Sequence, residues 1–437
     1  MQNHNDYFFY HIYTFSLAGA PFANDGGGTA HRTGRIARWI PHIRSLGCNA
    51  VLLSPVLESM SHGYDVTDYF RVDGRLGTNG EFRALVDEFH ANGVAVVLDS
   101  VFNHCGRGFF AFRELQGGKR EYADWFSGVD FGRGSPLGDP FTYDTWSGHY
   151  ELVKFNLNNN DARNHLLDAA RFWIDEFGID GMRLDAANVL DFGFMHDLRK
   201  AVSEKKPDFW LMGEVVGGDY ARWVRPDLLH SVTNYILYKS LFSSHNDNNL
   251  FELAHAVQNA VPDGGLPLYN FLDNHDQPRI ASNVANPAHL RTLYALLFTL
   301  PGIPSIYYGS EWGITGVKES GSDQGLRPCL DMDNLPSDIP WLADYIRKLA
   351  DIRGQCKALR YGAYRQLYLE YHRPFVFERS CEGERVFTAI NIAEQEDAVS
   401  LGEGCGEAVM DLLSNERFDA NEPIPIAPCT ARILCQG

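Results

Sequence analysis

Long hydrophobic runs are missing from this sequence: no window of about eighteen residues is apolar throughout, which excludes a membrane-spanning helix. Positive charge is scarce as well. Lys and Arg number 38 against 56 Asp and Glu, a net charge of −18. That balance argues against a nucleic-acid partner, which needs clustered cations to displace counterions, and against an anionic membrane surface. The eight cysteines (48, 105, 329, 356, 381, 405, 429, 435) lie far apart and form no CxxC pair, so neither a zinc site nor a disulfide framework is indicated. The first residues, Met1 to Tyr10, run polar then aromatic, without the basic region and apolar stretch of a secretory leader. A cytoplasmic protein is the expectation, or an extracellular one if a leader has been trimmed. Repeats, low-complexity tracts and a glycine-rich phosphate loop are not found.

What is present points to a large soluble protein. The 437 residues exceed one ordinary domain and suit a large domain with a smaller one, at 45% apolar and 22% charged composition. The aromatic share of 13% has two readings, a large core or stacking surface for flat apolar faces such as sugar rings. Runs suited to buried parallel strands occur at 8–15, 49–53, 94–99, 181–184, 210–214, 230–234, 269–272 and 305–308. Helical patterns alternate with them at 34–46, 81–92, 162–177, 192–204, weakly at 220–225, then at 250–261, 290–300 and 341–353. Eight strands each followed by a helix predict an α/β fold, a closed (β/α)₈ barrel of parallel strands. The connection after the third strand is far longer than an ordinary loop and is expected to form a small subdomain over the barrel mouth. Short alternating runs at the end predict a C-terminal β-sandwich. The expected division is residues 1–103 and 161–355 for the barrel, 104–160 for the insertion and 356–437 for the sandwich.

In such barrels the polar residues at the C-terminal ends of strands carry function. The third strand ends in Asp99-Ser-Val-Phe-Asn103-His104, the fourth reads Arg183-Leu-Asp185, the fifth ends in Glu214, and the seventh in Asp273-Asn-His275-Asp276. Arg183 and Asp185 are two apart on a strand and face the same side. Singly, each is as readily a structural ion pair or a loop cap. Together, three carboxylates from strands four, five and seven are costly unless used. Acetal cleavage needs such a set: one carboxylate for the oxocarbenium-like centre and one acid for the leaving oxygen.

The segments Asp99–His104, Gly178–Asn188, Gly213–Val215 and Phe271–Asp276, in this order and spacing, resemble the signature regions of the α-amylase superfamily, glycoside hydrolase family 13. Ser54-Pro55, His62-Gly-Tyr64-Asp65 and the stretch Gly302–Glu311 extend the match, so that it spans about residues 8 to 353. The resemblance implies Asp185 as nucleophile, Glu214 as general acid/base and Asp276 as the carboxylate that grips sugar hydroxyls. Arg183 would orient Asp185, His104 and His275 would donate to hydroxyls, and Tyr64 would stack under the ring. Asp99 would brace Arg183, with Asp65 and Asn103 also in the supporting layer. No metal ligand is assigned and no cofactor is required. Calcium at Asn103, a position that ligates it in many relatives, is the alternative kept open.

Within the family, Leu152-Val-Lys154-Phe-Asn156 and Asp185-Ala-Ala-Asn188 resemble the oligosaccharide-directed branch of cyclomaltodextrinases, neopullulanases, maltogenic amylases and α-glucosidases. The chain departs from that branch in reading Val216-Gly217 after Glu214, and it is expected to depart also in lacking an extra N-terminal domain. The implied function is retaining hydrolysis of α-1,4 bonds, with α-1,6 bonds as a second candidate, in malto-oligosaccharides, cyclodextrins or related short α-glucans, by a monomer or weak homo-oligomer. Two alternatives stand beside it: a transglycosylase or glucosyl isomerase using the same site, and a non-catalytic glucan-binding protein. Bulky aromatics in the insertion, Trp125, Phe126, Phe141, Tyr143 and Trp146, are expected either to wall the site or to pack the insertion's own core.

Overall fold

The computed structural model describes residues 4–260, 266–335, 338–402 and 405–436. Eight parallel strands form one sheet: β1 (Phe9–Ile12), β2 (Ala50–Leu53), β3 (Ala95–Ser100), β4 (Gly181–Leu184), β5 (Trp210–Gly213), β6 (Ser231–Val232), β7 (Tyr269–Phe271) and β8 (Ile303–Tyr307). Neighbours in the chain are neighbours in the sheet, β1 pairs with β8, and a parallel bridge from Thr233 to Tyr269 closes β6 onto β7. The sheet is therefore a barrel, as the alternation of patterns predicts.

Side-chain period two divides each strand between two environments. Phe9, Ala50, Leu52, Val97, Trp210, Met212, Tyr269, Phe271 and Ile303 fill the barrel interior. The intervening Tyr10, Val51, Leu53, Val96, Leu98 and Leu211 pack outward under the helices. Gly181 is inward too, and a Cβ there would stand 2.6 Å from the Trp210 carbonyl oxygen, so its bareness lets β4 approach the β5 backbone closely. Continuing the inward series past the apolar filling reaches His11, Asp99, Arg183, Asp185 and Glu214. The pattern that packs the barrel thus aims its polar ends into one rim.

Four of the helices begin on side-chain caps. Thr78 and Glu81 form a capping box for α1 (Asn79–Ala91), Asn159 caps α2 (Asn160–Phe172), and Asp191 caps α3 (Phe192–Lys205). Asn234 caps α4 (Tyr235–Asn246), which the sequence pattern does not announce. Its Tyr-Ile-Leu-Tyr-Lys-Ser-Leu-Phe-Ser-Ser sequence is buried on much of its circumference, so no clean polar face marks it. The helix expected at 250–261 is α5 (Phe251–Ala260), with Val261 outside the described residues. The helix expected at 34–46 is two short ones, Thr33–Ala37 and Ile40–Ser45. Pro41 opens the second, and lacking an N–H it cannot continue the first helix's ladder. α6 (Leu290–Thr299) and α7 (Leu342–Gln355) complete the ring.

After β3 the chain leaves the barrel. His104–Gly106, Thr145–Trp146 and His149–Lys154 form a three-stranded antiparallel sheet beside the helix Phe110–Gln116. Beyond the barrel, Ala363–Tyr368, Phe375–Cys381, Glu384–Asn391, Thr430–Gln436, Ala408–Asp411 and Arg417–Asp419 form a six-stranded antiparallel sheet, in that order. The ribbon of Asp397–Val399 with Ile424–Ile426 shares an apolar core with it, including Val376, Phe387, Ala389 and Leu434.

Candidate active site

Arg183 is the centre of the rim. It is 2% exposed, and its Nη1 donates to both oxygens of Asp99 at 2.6 and 2.7 Å. The same Nη1 lies 3.5 Å from Asp185 Oδ1, and Nη2 lies 2.9 Å from Glu214 Oε1. One guanidinium from β4 therefore gathers carboxylates at the ends of β3, β4 and β5. Main-chain bonds hold the register: Asp185 N–H donates to the Ser100 carbonyl, and Glu214 N–H to that of Leu184.

Asp185 is followed by an unusual backbone. Ala186 has φ +48°, a left-handed conformation that costs an L-residue about 1–2 kcal/mol. The turn directs the Ala186 N–H onto Glu214 Oε2 at 3.1 Å, so local strain contributes a donor to the rim. Tyr235, at the start of α4, donates to Glu214 Oε1 at 3.1 Å and accepts from Asn274 Nδ2. Asp185 has no comparable set of donors. Burial and then repulsion from Glu214 hold its carboxyl well above the ordinary range, against the pull of Arg183.

Asp276 stands across the rim after β7. Its Oδ2 is 3.0 Å from His275 Nε2, and its Oδ1 accepts from Arg327 Nη2 at 2.8 Å. Burial alone would raise this carboxyl, but His275 and Arg327 hold it well below the carboxylate range. Arg327 also donates through Nε to the His275 carbonyl at 2.9 Å and lies over the Tyr13 ring, 4.5 Å from its centroid.

Tyr64 joins the two sides. Its hydroxyl donates to Asp99 Oδ2 at 2.9 Å and contacts His275 Nε2, and its ring stacks parallel to the His275 imidazole. His104 is buried, and burial reinforced by His62 pushes its imidazole down to about 3, so it is neutral. Its Nδ1 lies 3.3 Å from Asn103 Nδ2, while its Nε2 is buried without a partner. Asp65 stands apart from the carboxylates, accepting from the Ser61 N–H and hydroxyl and so fixing the 61–65 turn that presents Tyr64. Asn103 is likewise engaged locally: its amide faces His104, and its carbonyl accepts from the Phe155 N–H. Among the described residues, no group of three or more His, Cys, Asp or Glu is placed to hold a metal ion.

Most of the insertion's aromatics do not face this rim. Phe126, Phe141 and Tyr143 are buried in the insertion's own core and Trp125 packs against it, whereas Trp146 lies 5.9 Å from the His104 ring and stacks on His149. Three further groups have no counterpart in the sequence reading: Arg327, Tyr235 and the Ala186 N–H. Arg327 sits in irregular chain between β8 and α7. Its one signal is the need of a half-buried Asp276 for a cation.

A model described as alpha amylase, catalytic domain, matches residues 22–338. The chain belongs to the α-amylase family. It is 32% identical over 380 residues to a cyclomaltodextrinase of Thermoanaerobacter pseudethanolicus, covering 83% of this chain and 64% of that protein. To the intracellular maltogenic amylase of Bacillus subtilis it is 34% identical over 326 residues, 72% of this chain and 54% of that one. The chain thus spans under two thirds of the length of these family members, which are glycoside hydrolases by name. Among solved family structures, the cyclic α-maltosyl-(1→6)-maltose hydrolase from Arthrobacter globiformis, in complex with cyclic α-maltosyl-(1→6)-maltose, superposes with a TM-score of 0.84 at 29% identity, covering 99% of this chain and 98% of the other. Among the described residues no helix is long and apolar enough to cross a membrane.

Proposed function

We propose that the chain is a retaining glycoside hydrolase that cuts α-glucosidic bonds in malto-oligosaccharides, cyclodextrins or related short α-glucans. The observation that carries this reading is the gathering of Asp185 and Glu214 on one buried guanidinium, with Asp276 opposite. A binding protein would have no use for two acidic groups that resist joint ionisation.

Double displacement needs a carboxylate to attack the anomeric carbon and an acid to protonate the leaving oxygen. Burial and repulsion from Glu214 hold the Asp185 carboxyl well above the ordinary range, so the site resists joint ionisation of the two acids. The reaction places the proton on Glu214 and the negative charge on Asp185. Glu214 delivers it to the glycosidic oxygen as the Asp185 carboxylate bonds to the anomeric carbon and the leaving sugar departs. Water then displaces Asp185 and gives a proton to Glu214, restoring the pair. Asp276, kept ionised by His275 and Arg327, accepts from ring hydroxyls and strengthens its hold as positive charge develops. With Asn103 donating to Nδ1 of His104, the Nε2–H of that ring is a free donor for a sugar hydroxyl. The names of the relatives support short substrates. The test is a time course on maltotriose, a cyclodextrin, panose and soluble starch, with proton NMR of the first product. An α-anomer is expected, and maltotriose is expected to outpace starch; an initial β-anomer would rule out the displacement through Asp185.

A further inference from the structure

A cavity of about 420 Å³ opens at the junction of the barrel and the C-terminal sheet. That volume lies in the range of small-ligand sites. One wall follows α4 and precedes α5, a second comes from the segment before α6, and the third from two loops of the C-terminal sheet. None of the strand-end carboxylates lines it.

Its walls are built by hydrogen bonds. Asn246 donates to the Asn283 carbonyl and accepts from the Ala285 N–H, each at 2.8 Å, tying α4 to the segment before α6. Asn391 donates to the Gln395 and Ala427 carbonyls and accepts from the Ala393 N–H, which fixes the 391–395 loop. Against these fixed walls stand groups with nothing to hold. The side chains of Asn248 and Gln395 line the cavity, are exposed, and make no hydrogen bond to another described residue. His289 also lines it; its Nε2 contacts the Ile392 carbonyl at 2.9 Å, and its Nδ1 is buried without a partner. At the edge, the Glu370–Arg373 turn projects Tyr371, 59% exposed, with the His372 ring against it.

The chemistry of this set is specific. Amides pair a donor with an acceptor and so match vicinal hydroxyls, whereas an exposed aromatic face takes the apolar face of a sugar ring. The one Arg on the wall, Arg373, is paired with Asp397 at 2.8 Å, and Glu370 and Glu394 leave the lining without an excess of positive charge for an anion. We propose that this cavity is a second, non-catalytic binding site for a neutral oligosaccharide, and that its ligand is an α-glucan chain. The choice of α-glucan rests on the function proposed above.

Maltoheptaose titrated calorimetrically into the full chain carrying Asp185→Asn tests this, with and without Tyr371→Ala. Two classes of site are expected in the first protein, and Tyr371→Ala should weaken one of them at least about tenfold, or roughly 1.4 kcal/mol. Tyr371→Ala alone should cleave maltotriose at the unmodified rate, which also shows that it folds. Should it not fold, Asn248→Ala on the opposite wall reads the same loss. Isotherms that are unchanged by both substitutions overturn the proposal. Failure of the functional reading looks different: the unmodified chain leaves maltotriose intact, while a Tyr371-dependent class of binding persists.

Discussion

The two sides of the rim use the same residue types to opposite ends. Around Arg183 one cation faces the three carboxylates of Asp99, Asp185 and Glu214. Around Arg327 a cation and the His275 ring both lie on Asp276. The first group is under-compensated, and the Asp185 carboxyl is pushed up; the second is well supplied, and Asp276 is pushed down. Burial raises both alike, so the difference lies in the count of partners. A proton is retained where proton transfer is needed, and a permanent charge is fixed where a hydroxyl is to be held. Two aspartates facing one substrate position can be given separate tasks in this way, without any difference in their own chemistry.

Removing the charge on the first side is the most severe test of this contrast. Asp185→Asn is expected to lower kcat on maltotriose by at least about 10³-fold, roughly 4 kcal/mol, while leaving binding largely intact. A variant keeping more than about a tenth of the rate would sink the assignment. The same change should stabilise the fold. Because the folded-state pKa of Asp185 is raised, its favourable contribution is complete below the unfolded value of about 3.9 and is lost as pH rises through the folded value. The amide mimics the protonated form, so a gain of about 0.5–2 kcal/mol is expected at neutral pH and should vanish in acid, as read by thermal melts.

On the second side, Arg327→Ala should lower kcat/KM by about 10²-fold, roughly 2.7 kcal/mol. Asp276 is held down by its partners, so losing one raises its pKa, and the acid limb of the kcat/KM profile should move to higher pH. Arg327→Lys restores charge without the Nε bond to the His275 carbonyl. It should recover part of that limb. An acid limb that does not move in Arg327→Ala would make the residue a mere loop brace.

The contrast also marks what the sequence reveals. The Arg183 side is legible because it lies on regular strands: inward positions recur every second residue, so Val97 leads to Asp99, Gly181 to Arg183 and Asp185, and Met212 to Glu214. All eight strands are legible on a related ground, as short buried apolar runs. The Arg327 side is not. Arg327 meets Asp276 across 51 residues of separation, from a segment whose path is set by tertiary contacts rather than by a repeating pattern. α4 escapes for a related reason, since a helix buried on most sides has no polar stripe to announce it. The insertion's aromatics show the limit of composition: Phe126, Phe141, Tyr143 and Trp146 are alike as letters, and the fold alone decides that Trp146 reaches the rim.

A milder perturbation sharpens the first side. Tyr235→Phe removes a donor to Glu214 Oε1 and leaves Arg183 in place. A hydrogen bond to a charged group contributes about 1.5 kcal/mol or more, so kcat should fall by about tenfold. KM and the melting temperature should hold, because Phe keeps the ring in place. An unchanged kcat, or a fall in kcat with a matching loss of melting temperature, would place Tyr235 in packing alone.

The smallest effect is expected from removing divalent cations. Both carboxylate groups on the rim are paired with an arginine, Arg183 on one side and Arg327 on the other, with the His275 ring also against Asp276. Asn103, the one residue whose place in the family suggests calcium, has its amide nitrogen on His104 and its main-chain carbonyl on the Phe155 N–H. Calcium takes six to eight oxygens, and among the described residues no group of three or more His, Cys, Asp or Glu is placed to supply them. Dialysis against EDTA should therefore leave the rate on maltotriose and the melting temperature unchanged. A joint collapse of rate and melting temperature, restored by calcium and not by magnesium, would assign Asn103 as a ligand. It would also show that a bound cation contributes to the charge balance now ascribed to the two arginines.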